Sequence, residues 1–475
     1  MSVEAPDGVV FDAHVPVIVV GAGAAGLIAA LKAVAAGAEV LVLERDALPR
    51  GSTALSAGLV PAAGTRWQRA AGIADTPLEF AADIMAKAHD EPDPAIVAAL
   101  TTQCGPALEW LAEAHGLPFS LVEGFNYPGH CARRMHGLPT RSGAELMDRL
   151  LQAANDAGLD VLCDARMTTL YASGRRVAGV AYARPDGSVE RVSCDAFVLA
   201  CNGYGGHADL VARHIPEMAG ALYFGHPGNQ GDALHWGEAL GAEARDLSGH
   251  QGHGSVAHPA GILITWATIT EGGFQVNTAG ERFSDEMQGY SEQAAFVLRQ
   301  PGAIAWTVFD SRIAEIARQF HDFRQAEQIG AIISAGNAAA LAVAMHVPEA
   351  AFAATVEAVA ALKAGHGTDW FGRDFTNSPA LQPPFHAVRV TGALFHTQGG
   401  LAVDANGGVL DPTGQVFDNL FAAGGAACGV SGRQASGYLS GNGLLSAVAL
   451  GAIAGEAAAR RVGEARRHSH AEDAA

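Results

Sequence analysis

Val17-Ile18-Val19-Val20-Gly21-Ala22-Gly23-Ala24-Ala25-Gly26 is an apolar, β-branched run that ends in G-x-G-x-x-G. It reads as a buried strand turning into a helix. The three glycines allow a tight turn, close approach of backbone to a pyrophosphate, and close helix–strand packing. A helix opening at Ala24 aims its free N–H groups and positive dipole end at phosphates. A second strand, Val40-Leu41-Val42-Leu43, ends at Glu44, about 20 residues on, where a carboxylate accepts from ribose hydroxyls. A lone glycine pattern also suits a tight turn that binds nothing; strand, helix, strand and acid in order specify a dinucleotide site. The matching half comes near the other end: Asn419-Leu420-Phe421-Ala422-Ala423-Gly424-Gly425, then Ser440-Gly441-Asn442-Gly443 at the head of an apolar helix. One large cofactor is expected to hold both ends of the chain.

Bulk properties narrow the class. The 475 residues exceed the usual size of one domain, and 49% hydrophobic with 17% charged residues describes a globular chain with a large core. The net charge of −19 argues against nucleic acid and anionic membrane surfaces as partners. No apolar run is read as reaching the roughly 18 residues of a membrane span. Met1 to His14 lacks a basic stretch and does not read as a signal peptide. The six cysteines are scattered without C-x-x-C, as expected of free thiols in a reducing cytoplasm. Residues from about 460 onward are charged and are expected to fray.

Working outward, Arg50-Gly51-Ser52-Thr53-Ala54-Leu55-Ser56-Ala57-Gly58 is a loop of small residues against which something flat can lie. Helical periodicity runs from about 77 to 115 and from 143 to 157. A strand meander follows over 177–194, turning at Pro185-Asp186-Gly187. Phe197-Val198-Leu199-Ala200-Cys201-Asn202-Gly203 is a buried strand with a glycine exit, a second approach to the cofactor. Composition then changes. The expected organisation is a first domain part at 1–245, an inserted domain at 246–376, and a return to the first domain at 377–475 through Phe385 to Val390.

These motifs in this order resemble the fumarate reductase/succinate dehydrogenase flavoprotein superfamily, including the 3-ketosteroid Δ1-dehydrogenases. The resemblance rests on the opening glycines, the Gly51-Ser52-Thr53-x-x-Ser56-x-Gly58 loop, Gly228-Asn229-Gln230-Gly231-Asp232-Ala233, Val276 to Phe283, His396-Thr397-Gln398-Gly399-Gly400, and Ser440-Gly441-Asn442-Gly443. It implies an α/β fold: a Rossmann-like FAD-binding domain with an inserted α+β capping domain. It also implies FAD contacts from Gly21, Gly23, Ala24, Ala25, Gly26, Glu44 and Arg45, and from Gly51, Ser52, Thr53, Ser56, Ala57 and Gly58. Asn202, Gly203, Asn229 and Asp232 are expected to join them, with Gly424, Gly425, Ser440, Asn442, Gly443 and Leu444 from the C-terminal part. Members with covalent flavin carry a histidine in the loop near Ser52 to Ser56; its absence here points to noncovalent FAD.

Departures from the fumarate reductases point away from dicarboxylates. Their acid arginine is Tyr290 here, their substrate-clamping arginine is Tyr438, and the upstream arginine of their proton relay is Ile269. Arginine binds a carboxylate bidentately with permanent charge, whereas tyrosine offers one hydroxyl. The tyrosines look like the ketosteroid dehydrogenase arrangement. Tyr438 and the Gly443 amide would polarise a ketone oxygen and Tyr290 would remove the α-proton, with Tyr127 assisting. The β-hydrogen would leave as hydride to the flavin. An ordinary phenol has a pKa near 10, so its anion is about 4 kcal/mol uphill at pH 7. A second hydroxyl or a cation has to offset this, with His396 and Arg433 as candidates.

His396 itself departs the other way, toward the fumarate reductases, and His253 matches a position that touches substrate or is a satisfied structural histidine. Arg133, Arg134 and His136 form either a carboxylate patch or a solvated face. His250, His253 and His258 lack a cysteine or carboxylate at ligand spacing, so no metal is expected. The expected partners are a small ketone or unsaturated acid and an unidentified electron donor or acceptor. Three readings follow: a cyclic-ketone desaturase, an enoate or keto-acid reductase using His396 and a relocated Arg433, and a non-catalytic flavin-binding redox protein.

Overall fold

A computed structural model describes residues 2–124 and 126–473; Phe125, beside the expected Tyr127, and Ala474 and Ala475 of the expected tail lie outside the described residues. Val17–Val20 sits inside a six-stranded sheet, between Ala196–Leu199 and Val40–Leu43, all parallel. Its four side chains are between 0% and 6% exposed, as a strand covered on both faces requires. Val416–Ala422 extends the sheet beyond Ala196–Leu199, again in parallel, so the strand leading to Gly424 lies two places from the strand leading to Gly21. Asn419 fixes this end: its side chain accepts from the Val177 N–H at 2.8 Å and donates to the Val177 and Asp195 carbonyls.

Two helices bring the chain's ends together. Ala24–Ala35 packs along Gly451–Asp473, and the contact is backbone to backbone. A Cβ added to Gly455 would lie 2.1 Å from the Ala29 carbonyl oxygen, and one on Gly451 would lie 2.7 Å from that of Ala25. Lys32 pairs with Glu456 at 3.0 Å along the same seam. The C-terminal helix therefore continues to Asp473, where fraying was expected from about residue 460. Ala457, Ala458, Ala459 and Val462 give it a buried face that a count of charges does not reveal. The helix Asn442–Ala465 is also long and apolar enough to cross a membrane, contrary to the sequence reading, but 78% of its apolar window is buried in the fold.

The other expected helices form with capping residues that explain their limits. Thr76 caps Pro77–Lys87, Asp93 caps Pro94–His115, and Ser142 caps Gly143–Asp156. The meander is a five-stranded sheet whose central strand is Arg176–Ala183.

A seven-stranded sheet forms the second layer. Its spine is Phe385–Thr397, thirteen residues that pair with His250–Ala257 on one side and Ile304–Asp310 on the other. The sequence reading has this segment rejoining the first domain; instead it is the central strand of the second sheet. Leu222–Tyr223, from before the expected boundary at 246, also pairs with it. The far end of this strand delivers His396 and Thr397 to the cleft between the two layers.

The seam between the terminal helices sets a testable limit. Gly455→Val is expected to destabilise the protein by about 1–3 kcal/mol through overpacking. The check is a lower denaturant midpoint with an unchanged slope, accompanied by weaker FAD retention.

Candidate active site

A cleft of about 2060 Å³, including its open mouth, runs from Glu44 to the aromatic side chains of the second layer. Its lining joins the glycine turn and Glu44 at one end to Tyr290, Tyr438 and His253 at the other, so one continuous cleft serves both a dinucleotide and a substrate. The glycines divide their work at its base. Gly21 has φ +101°, and a Cβ there would lie 2.6 Å from the Ala200 carbonyl oxygen. A Cβ on Gly26 would lie 1.8 Å from the Gly21 oxygen, so Gly26 serves helix–strand packing and does not face the cleft. Gly23 alone is open, with nothing nearer than Thr53 Oγ1 at 3.7 Å. It precedes a helix that has no side-chain cap, which leaves N–H groups available to phosphate.

Glu44 is pinned at the strand end: Oε2 accepts from Ala22 N at 2.8 Å and Oε1 from Asp46 N at 2.9 Å. Arg45 donates to the Gly228 carbonyl at 2.7 Å, and Ser52 accepts from Asn229 Nδ2 at 2.8 Å. These bonds bring the loop at 51–57 and the segment at 226–232 to one wall. Gly51, Thr53, Ser56, Ala57, Asn202, Asp232, Gly424, Gly425, Ser440, Gly443 and Leu444 line the cleft, as do Ala24 and Ala25. Gly58, Gly203 and Asn442, expected as contacts, do not. Gly58 is a left-handed turn at φ +63°, Gly203 packs against Thr397, and Asn442 donates to Ser431 Oγ at 2.9 Å.

The cradle fits a flavin dinucleotide on its own terms. Thr397 Oγ1 and Ser446 Oγ are buried, without a hydrogen-bond partner, and on the wall of this cleft. Buried polar atoms of that kind call for a bound partner.

At the other end the three tyrosines converge. Tyr290 begins the helix Tyr290–Leu298 immediately after Gly289, whose φ of +143° turns the chain into it. Its ring centroid lies 6.1 Å from those of Tyr127 and Tyr438. His253 stacks between Tyr290 at 4.7 Å and Phe395 at 5.2 Å, with Trp266 closing the cluster. The Gly443 N–H donates to Tyr438 Oη at 3.3 Å. A Cβ at residue 443 would lie 2.5 Å from His396 Nε2, so only glycine lets this amide come so close. Trp266, Phe395 and Phe320 carry no local signature; only Thr397, inside His396-Thr397-Gln398-Gly399-Gly400, had one.

Burial governs the electrostatics here. It raises the phenols of Tyr290 and Tyr127 well above the ordinary range and pushes Tyr438 up to about 12, even though the Gly443 and Gly441 amides favour its anion. The same burial lowers His253 to about 3 and His396 to about 4, so both are neutral at pH 7. His396 therefore supplies no cation.

Arg433 supplies none either. It lies outside the cleft lining, its side chain is 73% exposed, and it pairs with Asp246 at 3.2 Å. Arg134 is fully buried between Asp75 and Asp83 and the buried His136 bonds Thr65, while Arg133 is exposed and donates to the Glu123 carbonyl; none of the three lines the cleft. Of the arginines that do line the cleft, Arg45 and Arg166 influence Asp232 toward the dinucleotide end, and Arg141 is tied to Ser120 and its neighbours.

Residues 16–444 match the FAD binding domain family. The chain belongs to the fumarate reductase/succinate dehydrogenase flavoprotein superfamily. It is 30% identical over 446 residues to "Probable fumarate reductase Ifc3" of Shewanella frigidimarina, which covers 94% of this chain and 74% of that relative. It is 27% identical over 525 residues to the 4-oxocyclohexanecarboxylate 2-dehydrogenase of Sinomonas cyclohexanicum, with 89% and 88% covered. Among solved structures, the open conformation of a flavocytochrome c3 fumarate reductase superposes with a TM-score of 0.79 at 29% identity, over 95% of this chain and 79% of that one. A 3-ketosteroid-Δ4-(5α)-dehydrogenase from Rhodococcus jostii RHA1 shares the fold with a TM-score of 0.76 at 24% identity, over 96% and 99%. FAD is thus the cofactor and the protein is an oxidoreductase.

The contact between Gly443 and His396 yields a direct test. Gly443→Ala is expected to lower the rate of flavin reduction by substrate by up to about 100-fold, because its Cβ would strike His396 and shift the amide from the place of an oxyanion donor. FAD content, read from the visible spectrum, is expected to stay near wild type.

Proposed function

We propose that this enzyme removes the α- and β-hydrogens of a cyclic ketone, of the oxocyclohexane or 3-ketosteroid type, with noncovalently held FAD. One observation carries the reading: the buried Tyr290 and Tyr438, the half-buried Tyr127 and the Gly443 amide meet in the cleft. Among the described residues the arginines of its lining are Arg45, Arg141 and Arg166, of which Arg45 and Arg141 are engaged by the Gly228 carbonyl and by Ser120. Neutral donors suit a ketone oxygen that becomes enolate-like, whereas a dicarboxylate is better held by a guanidinium than by the phenols at positions 290 and 438. The relative that acts on 4-oxocyclohexanecarboxylate supports the same class of substrate.

In this mechanism Tyr438 and the Gly443 N–H hold the ketone oxygen, and Tyr290 takes the α-proton at its phenol oxygen. Tyr127 borders Tyr290 and keeps water from it. Bound FAD supplies the two-electron acceptor for the β-hydrogen. His253 and Phe395 form a flat apolar wall for a ring. A cytoplasmic site of action, read from the scattered thiols, belongs to the same proposal. The fumarate reductase relatives favour the reverse chemistry, with His396 at the substrate; its neutrality and the outward position of Arg433 weigh against that reading.

Anaerobic mixing of the holoenzyme with a 3-ketosteroid, cyclohexanone and 4-oxocyclohexanecarboxylate separates the two. Bleaching of the flavin by one of them, abolished in Tyr290→Phe, is the expected result. No bleaching, with reoxidation of chemically reduced flavin by an unsaturated acid, would replace it with the reductase reading.

The raised phenol pKa values fix the sign of the pH dependence. The reactive form is deprotonated, so the bleaching rate is expected to rise about tenfold per pH unit from neutral into the alkaline range. A flat profile in stopped-flow measurements would remove tyrosine as the base.

A further inference from the structure

A proton taken from carbon by Tyr290 has to leave, yet that side chain is buried with the residue only 8% exposed. Behind it lies a second cavity with room for about one water. Tyr290, Tyr438 and Ser440 border it on the cleft side, and Lys87, Gly289 and Glu292 border it on the other. The Ser440 hydroxyl is close enough to Tyr290 to favour its anion.

Glu292 follows Tyr290 by two positions on the same helix. One carboxylate oxygen, Oε1, pairs with Lys87 on the facing helix Pro77–Lys87, while Oε2 is buried with no partner. That free oxygen lies against the turn at Gly289, where an added Cβ would be 2.5 Å away. Lys87 also donates to the Gln288 carbonyl at 2.9 Å. Exposure rises from 10% for the Glu292 side chain to 19% for Lys87, so the pair leads outward. Burial raises the Glu292 carboxyl above its ordinary pKa against the opposing pull of Lys87 and His89, which favours its accepting a proton.

We propose that Glu292 is the outlet for the substrate proton. As the substrate C–H bond breaks, Tyr290 Oη gains that proton. It passes one on through Ser440 and a water in the small cavity to the free oxygen of Glu292. The carboxyl then loses it to solvent beside Lys87, and the site returns to its starting charge. This assignment rests on the dehydrogenase reading for its direction; in a reductase the same atoms would deliver the proton.

The test uses the FAD-loaded enzyme in whichever half-reaction the wild type performs, with flavin absorbance and a pH-indicator dye followed together. Glu292→Gln is expected to slow flavin turnover about 10- to 100-fold, delay proton release or uptake, and raise the solvent isotope effect. Glu292→Ala, which opens space for a small weak acid, is expected to regain speed with added formate, and Tyr290→Phe is not. Wild-type rates and proton timing in Glu292→Gln would overturn the outlet. So would a slow Glu292→Ala that ignores formate and keeps the wild-type isotope effect. If ketones fail to bleach the wild type but an unsaturated acid reoxidises it, the dehydrogenase reading falls and the outlet is judged on proton uptake. A wild type that reacts in neither direction removes both.

Discussion

Everything in this protein depends on two glycine-to-backbone contacts between its first long helix and its last. Gly451 and Gly455 sit where any side chain would strike the carbonyls of Ala25 and Ala29. That closeness sets the height of the C-terminal helix above the sheet and therefore the position of Asn442–Leu445, which feeds directly into it. Gly443 and Leu444 belong to that turn. The amide proposed to hold the substrate oxygen is thus placed by packing some eight to twelve residues further along the chain.

The second layer solves a different problem. In the proposed reaction the site has to exclude water while holding a neutral ketone, and the aromatic wall of His253, Trp266 and Phe395 suits both. The spine strand Phe385–Thr397 spans the whole second sheet and ends in the flavin cradle. Substrate wall and cofactor wall are consequently parts of one strand, with Phe395 facing the aromatic cluster and Thr397 presenting a free hydroxyl two residues later.

The dinucleotide half of the site was legible because its physics is local. A turn, a helix start and a carboxylate at a strand end occupy neighbouring residues, so Gly21, Gly23 and Glu44 could be read in order. The tyrosines were legible only through resemblance, as replacements at Tyr290 and Tyr438. Arg433 was misplaced because five residues of separation from Tyr438 say nothing of direction, and the Asp246 carboxylate holds it outward. His396 lines the cleft, but its charge state depends on burial that no spacing reveals. The spine strand was assigned to the wrong layer for a related reason: apolar strands of either sheet have the same composition. In the terminal helix, charges on one face hid the alanine face that packs.

His396 and Gly443 carry a consequence for how such sites diversify. The imidazole fills the space that a Cβ at 443 would need, so the two positions share one fixed volume. A Cβ at 443 requires the imidazole of His396 to move or residue 396 to become smaller, so the two positions are coupled. Changes at this pair are therefore non-additive, and a smaller residue at 396 opens room at 443 that this sequence does not have.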